Sequence, residues 1–239
     1  MINVKNPMWK SISIISISFL LLLTQGCDST ETTDGTVSLS LSTPSLTQKI
    51  SEDSITLDTV KILIRDIKLE YELGDKDDSP DDDGDEVSVK VGPLVVYLDL
   101  NGVTTDFAVN NIPSGTYDEV KFKIHKIKAS ETPPDPEFKE GDDSSLRYSV
   151  IIKGIYNSDP FIYKSRKSAH QKIEFENPLV IEPNTFTNPT ITVDPSTWFI
   201  KEGEILDPND PANENDIDNN IKDSFKRCFK DDDHDGDDD

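Results

Sequence analysis

Between Gly35 and Val193 segment after segment alternates apolar and polar residues with a period of two, a pattern that an extended strand can sort onto two faces and a helix cannot. Gly35-Thr-Val-Ser-Leu-Ser-Leu-Ser puts Val37, Leu39 and Leu41 on one face and Ser38, Ser40 and Ser42 on the other. From Ile55 to Leu73 the alternation changes phase: Val60, Ile62 and Ile64 share a face, then Ile67, Leu69, Tyr71 and Leu73 share one of opposite parity. One extra residue near Arg65-Asp66, a β-bulge, restores a common face; two strands meeting at a corner between sheets is the alternative. Val120, Phe122 and Ile124, followed by Ile127 out of phase, repeat the behaviour. Asn101-Gly102 predicts a tight hairpin, Pro113-Ser114-Gly115 a turn, and Pro133, Pro134 and Pro136 a loop. Roughly ten short strands with no helical period between them predict an all-β fold, a sandwich or a barrel, with an antiparallel β-sandwich as the reading adopted.

The last part of the chain changes period. Ile217, Ile221, Phe225, Cys228 and Phe229 fall on a helical stripe, with Asp216 and Asp218 in the first turn and Lys226, Arg227 and Lys230 in the last. This predicts one C-terminal amphipathic helix from about residue 213 to 230, docked on a core marked by Trp198 and Phe199, and followed by an acidic tail.

Ahead of the strands, Lys5 and Lys10 precede an apolar run from Ile12 to Leu23 that is too short to span a bilayer comfortably, and it closes on Gln25-Gly26-Cys27. That is the layout of a signal peptide. Its end resembles the lipobox of bacterial lipoproteins, although Thr24 stands where that pattern has leucine. The resemblance implies cleavage before Cys27, a covalent lipid on Cys27 and a place in the cell envelope as an outer membrane lipoprotein. An ordinary cleaved leader followed by a chance cysteine is the alternative. The expected organisation is therefore a leader over 1–26, lipidated Cys27 with a tether to residue 34, a β-sandwich over 35–200, linker and helix over 201–230, and a tail over 231–239.

Gly35-Thr-Val-Ser-Leu-Ser-Leu-Ser and Asn111-Ile-Pro-Ser-Gly115-Thr-Tyr117-Asp-Glu-Val120 resemble a domain of unknown function carried by many Gram-negative lipoproteins. The resemblance covers about residues 35–193. It implies a transthyretin-like or immunoglobulin-like sandwich and brings no catalytic residues.

Twenty-four Lys and Arg stand against 47 Asp and Glu, and the resulting formal charge of −23 argues against nucleic acid and for cations as partners. Asp231-Asp-Asp233-His-Asp235-Gly-Asp237-Asp-Asp239 spells the first half of a calcium loop, in which alternate carboxylates converge on a hard cation and glycine supplies the sharp turn. The bidentate acid of the twelfth position is missing. Asp81, Asp83 and Asp85 form a poorer copy.

No hydrolase elbow, zinc-protease helix, paired-cysteine motif or phosphate loop occurs, so a non-enzymatic binding or structural module is expected. A carbohydrate-binding or adhesin-type surface module and an assembly partner of an envelope complex are the alternatives. For a glycan partner the candidates are the aromatics Tyr148, Tyr156, Phe161 and Tyr163; the basic patch Lys164-Ser-Arg166-Lys167 with His170 reads first as an exposed hairpin tip, with an acidic segment or an anionic sugar as the alternative occupant. His125 reads as a solvated residue on a polar face, and Cys228 as a small buried hydrophobe on the helix.

Overall fold

A computed structural model describes residues 34–44, 55–71 and 86–234, all within one compact unit, Thr32–Asp239. The alternating segments become strands: β1 (Asp34–Ser42), β2 (Ile55–Tyr71), β3 (Glu86–Lys90), β4 (Leu94–Tyr97), β5 (Thr105–Pro113), β6 (Gly115–Ile124), β7 (Val150–Tyr156), β8 (Asp159–Ser165) and β9 (Ala169–Ile181). Shorter pieces follow: β10 (Phe186–Thr187), β11 (Pro189–Val193), β12 (Ile200–Lys201) and β13 (Glu204–Ile205). A helix, α1 (Glu214–Asp223), then leads into a last strand, β14 (Phe225–Lys230).

Among the described residues twelve strands form one mixed sheet, ordered β10-β1-β11-β14-β9-β6-β2-β7-β8, with β3 and β4 on β2 and β5 on β1. This corrects the antiparallel sandwich. β1 runs parallel to β10 and β11, and β14 runs parallel to β9. The sheet is curled, and the Asn110 side-chain amide joins β5 to β3 by donating to Val89 O at 3.2 Å. Period-two patterning fixes which residues face the core; it carries no signal for the direction of the neighbouring strand.

β2 organises the sheet. Its N-terminal half pairs with β4 and β7, its C-terminal half with β3 and β6. The phase change near Arg65 is a bulge, with the register slipping between Arg65 and Lys68 and Asp66 at φ 53°. The extra residue returns Ile67 and Leu69 to the core that holds Val60, Ile62 and Ile64. Leu63 faces the other way and founds a second cluster with Ile127, Phe138, Tyr148 and Ile151, so the proline-rich loop carries a buried aromatic. Gly102 has the expected positive φ of 91°, but β4 pairs with β2 and β5 with β1, so the turn passes between partners and closes no hairpin.

The predicted helix over 213–230 is the second correction. α1 stops at Asp223; Ser224 Oγ donates to Ile221 O at 2.7 Å, and Phe225–Lys230 pairs with β11. Ile217 and Ile221 are buried in the core that contains Trp198 and Phe199, and Asn220 donates to Trp198 O and Ile200 O at 3.0 and 2.8 Å. Phe225 and Cys228 enter the same core from a strand. The gap between β11 and β9 offers residues 225–230 ladder bonds that a helical continuation would leave unmade.

Candidate functional site

Cross-strand register sorts charges into rungs on the outer face of β3, β2, β6 and β9. Glu86, Glu70, Glu119 and Glu174 make one rung; Ser88, Lys68, Lys121 and Lys172 make the next; Arg65, Lys123 and His170 make a third. Three acids of the first rung pair with the three lysines of the second. Lys121 binds Glu86 at 2.8 Å and also Glu70, Lys68 binds Glu86, and Lys172 binds Glu119. Burial works against the charge on Lys121, and the flanking Glu70 and Glu86 reverse it, holding that ammonium above its ordinary value.

On the third rung Arg65 is taken by Asp66 at 2.9 Å and Glu131 at 2.7 Å. The side chains of Lys123 and His170, opposite each other on β6 and β9, have no hydrogen-bond or ion-pair partner among the described residues. They line a groove of about 650 Å³ with Lys68, Lys121 and Lys172, against Asp66 and Glu86. Its size is within the range of small-ligand sites. Lys121 and Lys123 share parity in the sequence, but their meeting with His170 depends on register with β9, which no local pattern displays.

The tail joins the fold at a different place. Asp231 N–H donates to Asn188 O at 2.8 Å, and Asn188 N–H donates to Asp232 Oδ1 at 2.8 Å. His234 Nε2 touches the Asn188 amide and lies 3.4 Å from Asp106 Oδ1. Asp231 is buried and Asp233 exposed; Asp235, Asp237 and Asp239 lie outside the described residues, as do Asp81, Asp83, Asp85 and Cys27. Among the described residues no group of three or more His, Cys, Asp or Glu is arranged to hold a metal ion, and no helix is long and apolar enough to cross a membrane.

No family model matches the chain. No curated protein matches it. Among solved structures it is similar to MbnP from Methylosinus trichosporium at 10% identity, covering 74% of this chain and 85% of that one with a TM-score of 0.37. At that level of likeness neither fold nor function transfers.

Two further expectations are corrected. His125 is buried, not solvated: Glu131 Oε2 lies 2.7 Å from its Nε2, and burial lowers its pKa even beside that carboxylate. Tyr148, Phe161 and Tyr163 are buried, with Phe161 and Tyr163 packed edge-on against Phe199, so they offer no exposed stacking platform. Tyr156 is half-buried. The basic patch is occupied from within, Lys164 by Glu140 and Arg166 by Glu214 at the start of α1. Cys228 is buried as expected, although on a strand.

Proposed function

We propose that this chain is an exported, lipid-anchored, non-catalytic module that binds a carboxylate-bearing ligand in the groove on the outer face of β3, β2, β6 and β9. The reading rests on Lys123 and His170, which have no hydrogen-bond or ion-pair partner among the described residues of a chain whose formal charge is −23. Elsewhere on that face each lysine of the second rung already has a glutamate. An anion entering the groove therefore meets free donors at one end and, at the other, lysines that can share their bonds. Lys123 is half-buried, so its attraction for an anion is less screened than that of a fully exposed lysine. The leader ending at Cys27 supports the anchor.

Calorimetry with trigalacturonate as the acidic probe and galactotriose as the neutral one tests the groove. The acidic sugar should bind, the neutral one should not, and Lys123→Ala with His170→Ala should weaken binding at least tenfold while circular dichroism stays unchanged. Equal binding of both sugars, or full affinity in the double variant, contradicts the reading. For the anchor, metabolic labelling with an alkyne fatty acid should mark the wild type and leave Cys27→Ser unmarked; label on the serine variant contradicts it.

A further inference from the structure

Just beyond the C-terminal end of β6, three chain segments meet and gather cations in a protein that is acidic as a whole. Lys126 N–H donates to Ser168 Oγ at 3.0 Å, which ties the end of β6 to the segment between β8 and β9. Arg147 Nη1 donates to Ile127 O at 2.8 Å, and Ser149 Oγ donates to Lys167 O, so the approach to β7 is joined to both. Lys126, Arg147, Arg166 and Lys167 therefore share one end of the sheet. Burial lowers the pKa of the Lys126 ammonium, and the charges of Arg147, Arg166 and Lys167 lower it further against the opposing pull of Asp143.

The acids at this end are committed elsewhere. Glu214 takes Arg166 at 2.6 Å and Glu140 takes Lys164, but neither takes Lys167. Asp143 caps the 3₁₀ turn Ser144–Leu146, accepting from Ser145 N–H at 2.8 Å and Ser145 Oγ at 2.7 Å. Asp218 is buried and accepts from the Tyr163 hydroxyl at 2.8 Å. Lys126, Arg147 and Lys167 have no ion-pair partner among the described residues.

Donors are left over. Lys126 Nζ uses one proton on Ser144 Oγ at 2.6 Å. Arg147 spends Nη1 and Nε on the Ile127 and Asp143 carbonyls and keeps Nη2. Ser144 Oγ, an acceptor toward Lys126, retains its own proton to donate. Lys126 and Arg147 are half-buried and Lys167 is exposed, so a ligand reaches the cluster from solvent and meets two charges that water screens only in part. A carboxylate brings one charge and two oxygens. A phosphate monoester brings close to two charges and three acceptor oxygens, and a guanidinium edge matches it.

We propose that Lys126, Arg147 and Lys167, with the Ser144 hydroxyl, bind the phosphoryl group of a phosphate monoester. The cluster shares no residue with the groove and does not depend on it.

Calorimetry on the full chain carrying Lys123→Ala and His170→Ala, which removes the free cations of the groove, isolates this site. Glucose 6-phosphate should bind to that variant, and glucuronate, the same ring bearing a carboxylate, should bind roughly tenfold more weakly or not at all. Adding Lys126→Gln and Lys167→Gln should weaken the sugar phosphate by about tenfold or more, since a hydrogen bond to a charged group is worth about one factor of ten, while the melting temperature stays unchanged. Dihexanoyl phosphatidate separates the sources of the phosphate: tighter binding than the sugar ester places it on a lipid headgroup, and weaker binding places it on a soluble ester. No heat with either phosphate, glucuronate bound as tightly as glucose 6-phosphate, or full affinity after the two lysine substitutions would each overturn the site.

Discussion

Glu70 and Glu119 stand directly opposite each other on β2 and β6, and Glu119 is only 3% exposed. Burial pushes the Glu119 carboxyl above its ordinary value; Lys172 works against this and Glu70 with it. A carboxyl whose folded pKa is raised contributes stability below the unfolded value of 4.5, and that contribution is lost as pH rises through the folded pKa. Glu119→Gln is therefore expected to stabilise the protein at pH 7 by about 0.2–1 kcal/mol, the scale of a cross-strand pair, and to change little at pH 4. Urea unfolding at the two pH values measures the difference.

His125 and Glu131 give the opposite slope. Burial raises the Glu131 carboxyl, but hydrogen bonds to His125 and the Lys128 N–H, with the charge of Arg65, bring it down to about 2. His125 is lowered chiefly by burial. Both groups release protons more readily folded than unfolded, so stability should fall as pH drops below 6.5 and again between 4.5 and about 2. Glu131→Gln should cost about 1–3 kcal/mol at neutral pH and flatten the acid limb. A variant with the wild-type acid profile would remove this pair from the account.

The bulge at Asp66 makes a backbone prediction. At φ 53° an aspartate is tolerated and a β-branched residue is not. Asp66→Gly should stay within about 1 kcal/mol of wild type, whereas Asp66→Val should lose about 1–2 kcal/mol or more. Comparable stability in the two variants would mean that β2 absorbs its phase change elsewhere.

Phe225 sits edge-on to Phe122 at 5.4 Å, which ties β14 to the C-terminal part of β6. Phe225→Ala should cost about 3–5 kcal/mol, as expected for a buried aromatic. Deleting residues 225–239 should remove strand signal from the far-UV spectrum and leave helical signal in place. Loss of helical signal on that deletion would restore the longer helix.

That segment also marks the limit of what the residues display. Val37, Leu39 and Leu41, the slip at Asp66 and the core role of Trp198 are legible because each follows from local period or burial. Phe225, Cys228 and Phe229 fit a helical stripe and a bulged strand equally well; the free edges of β9 and β11 decide between them, and those edges are set by residues 32 to 53 positions away. Lys123 with His170, and Asp231 with Asn188, are likewise products of register. His125 misleads because its strand alternation points outward, yet Glu131 from the following loop reaches it.

The chain has three histidines, each in a different setting: His125 buried on Glu131, His170 in the groove and His234 beside Asp106. Imidazole NMR resonances recorded during titration with trigalacturonate therefore test the central claim residue by residue. The account predicts that the acidic sugar moves the His170 signals alone and that Lys123→Ala abolishes the movement. Unmoved His170 signals at saturating sugar, or equal movement of all three histidines, would contradict it.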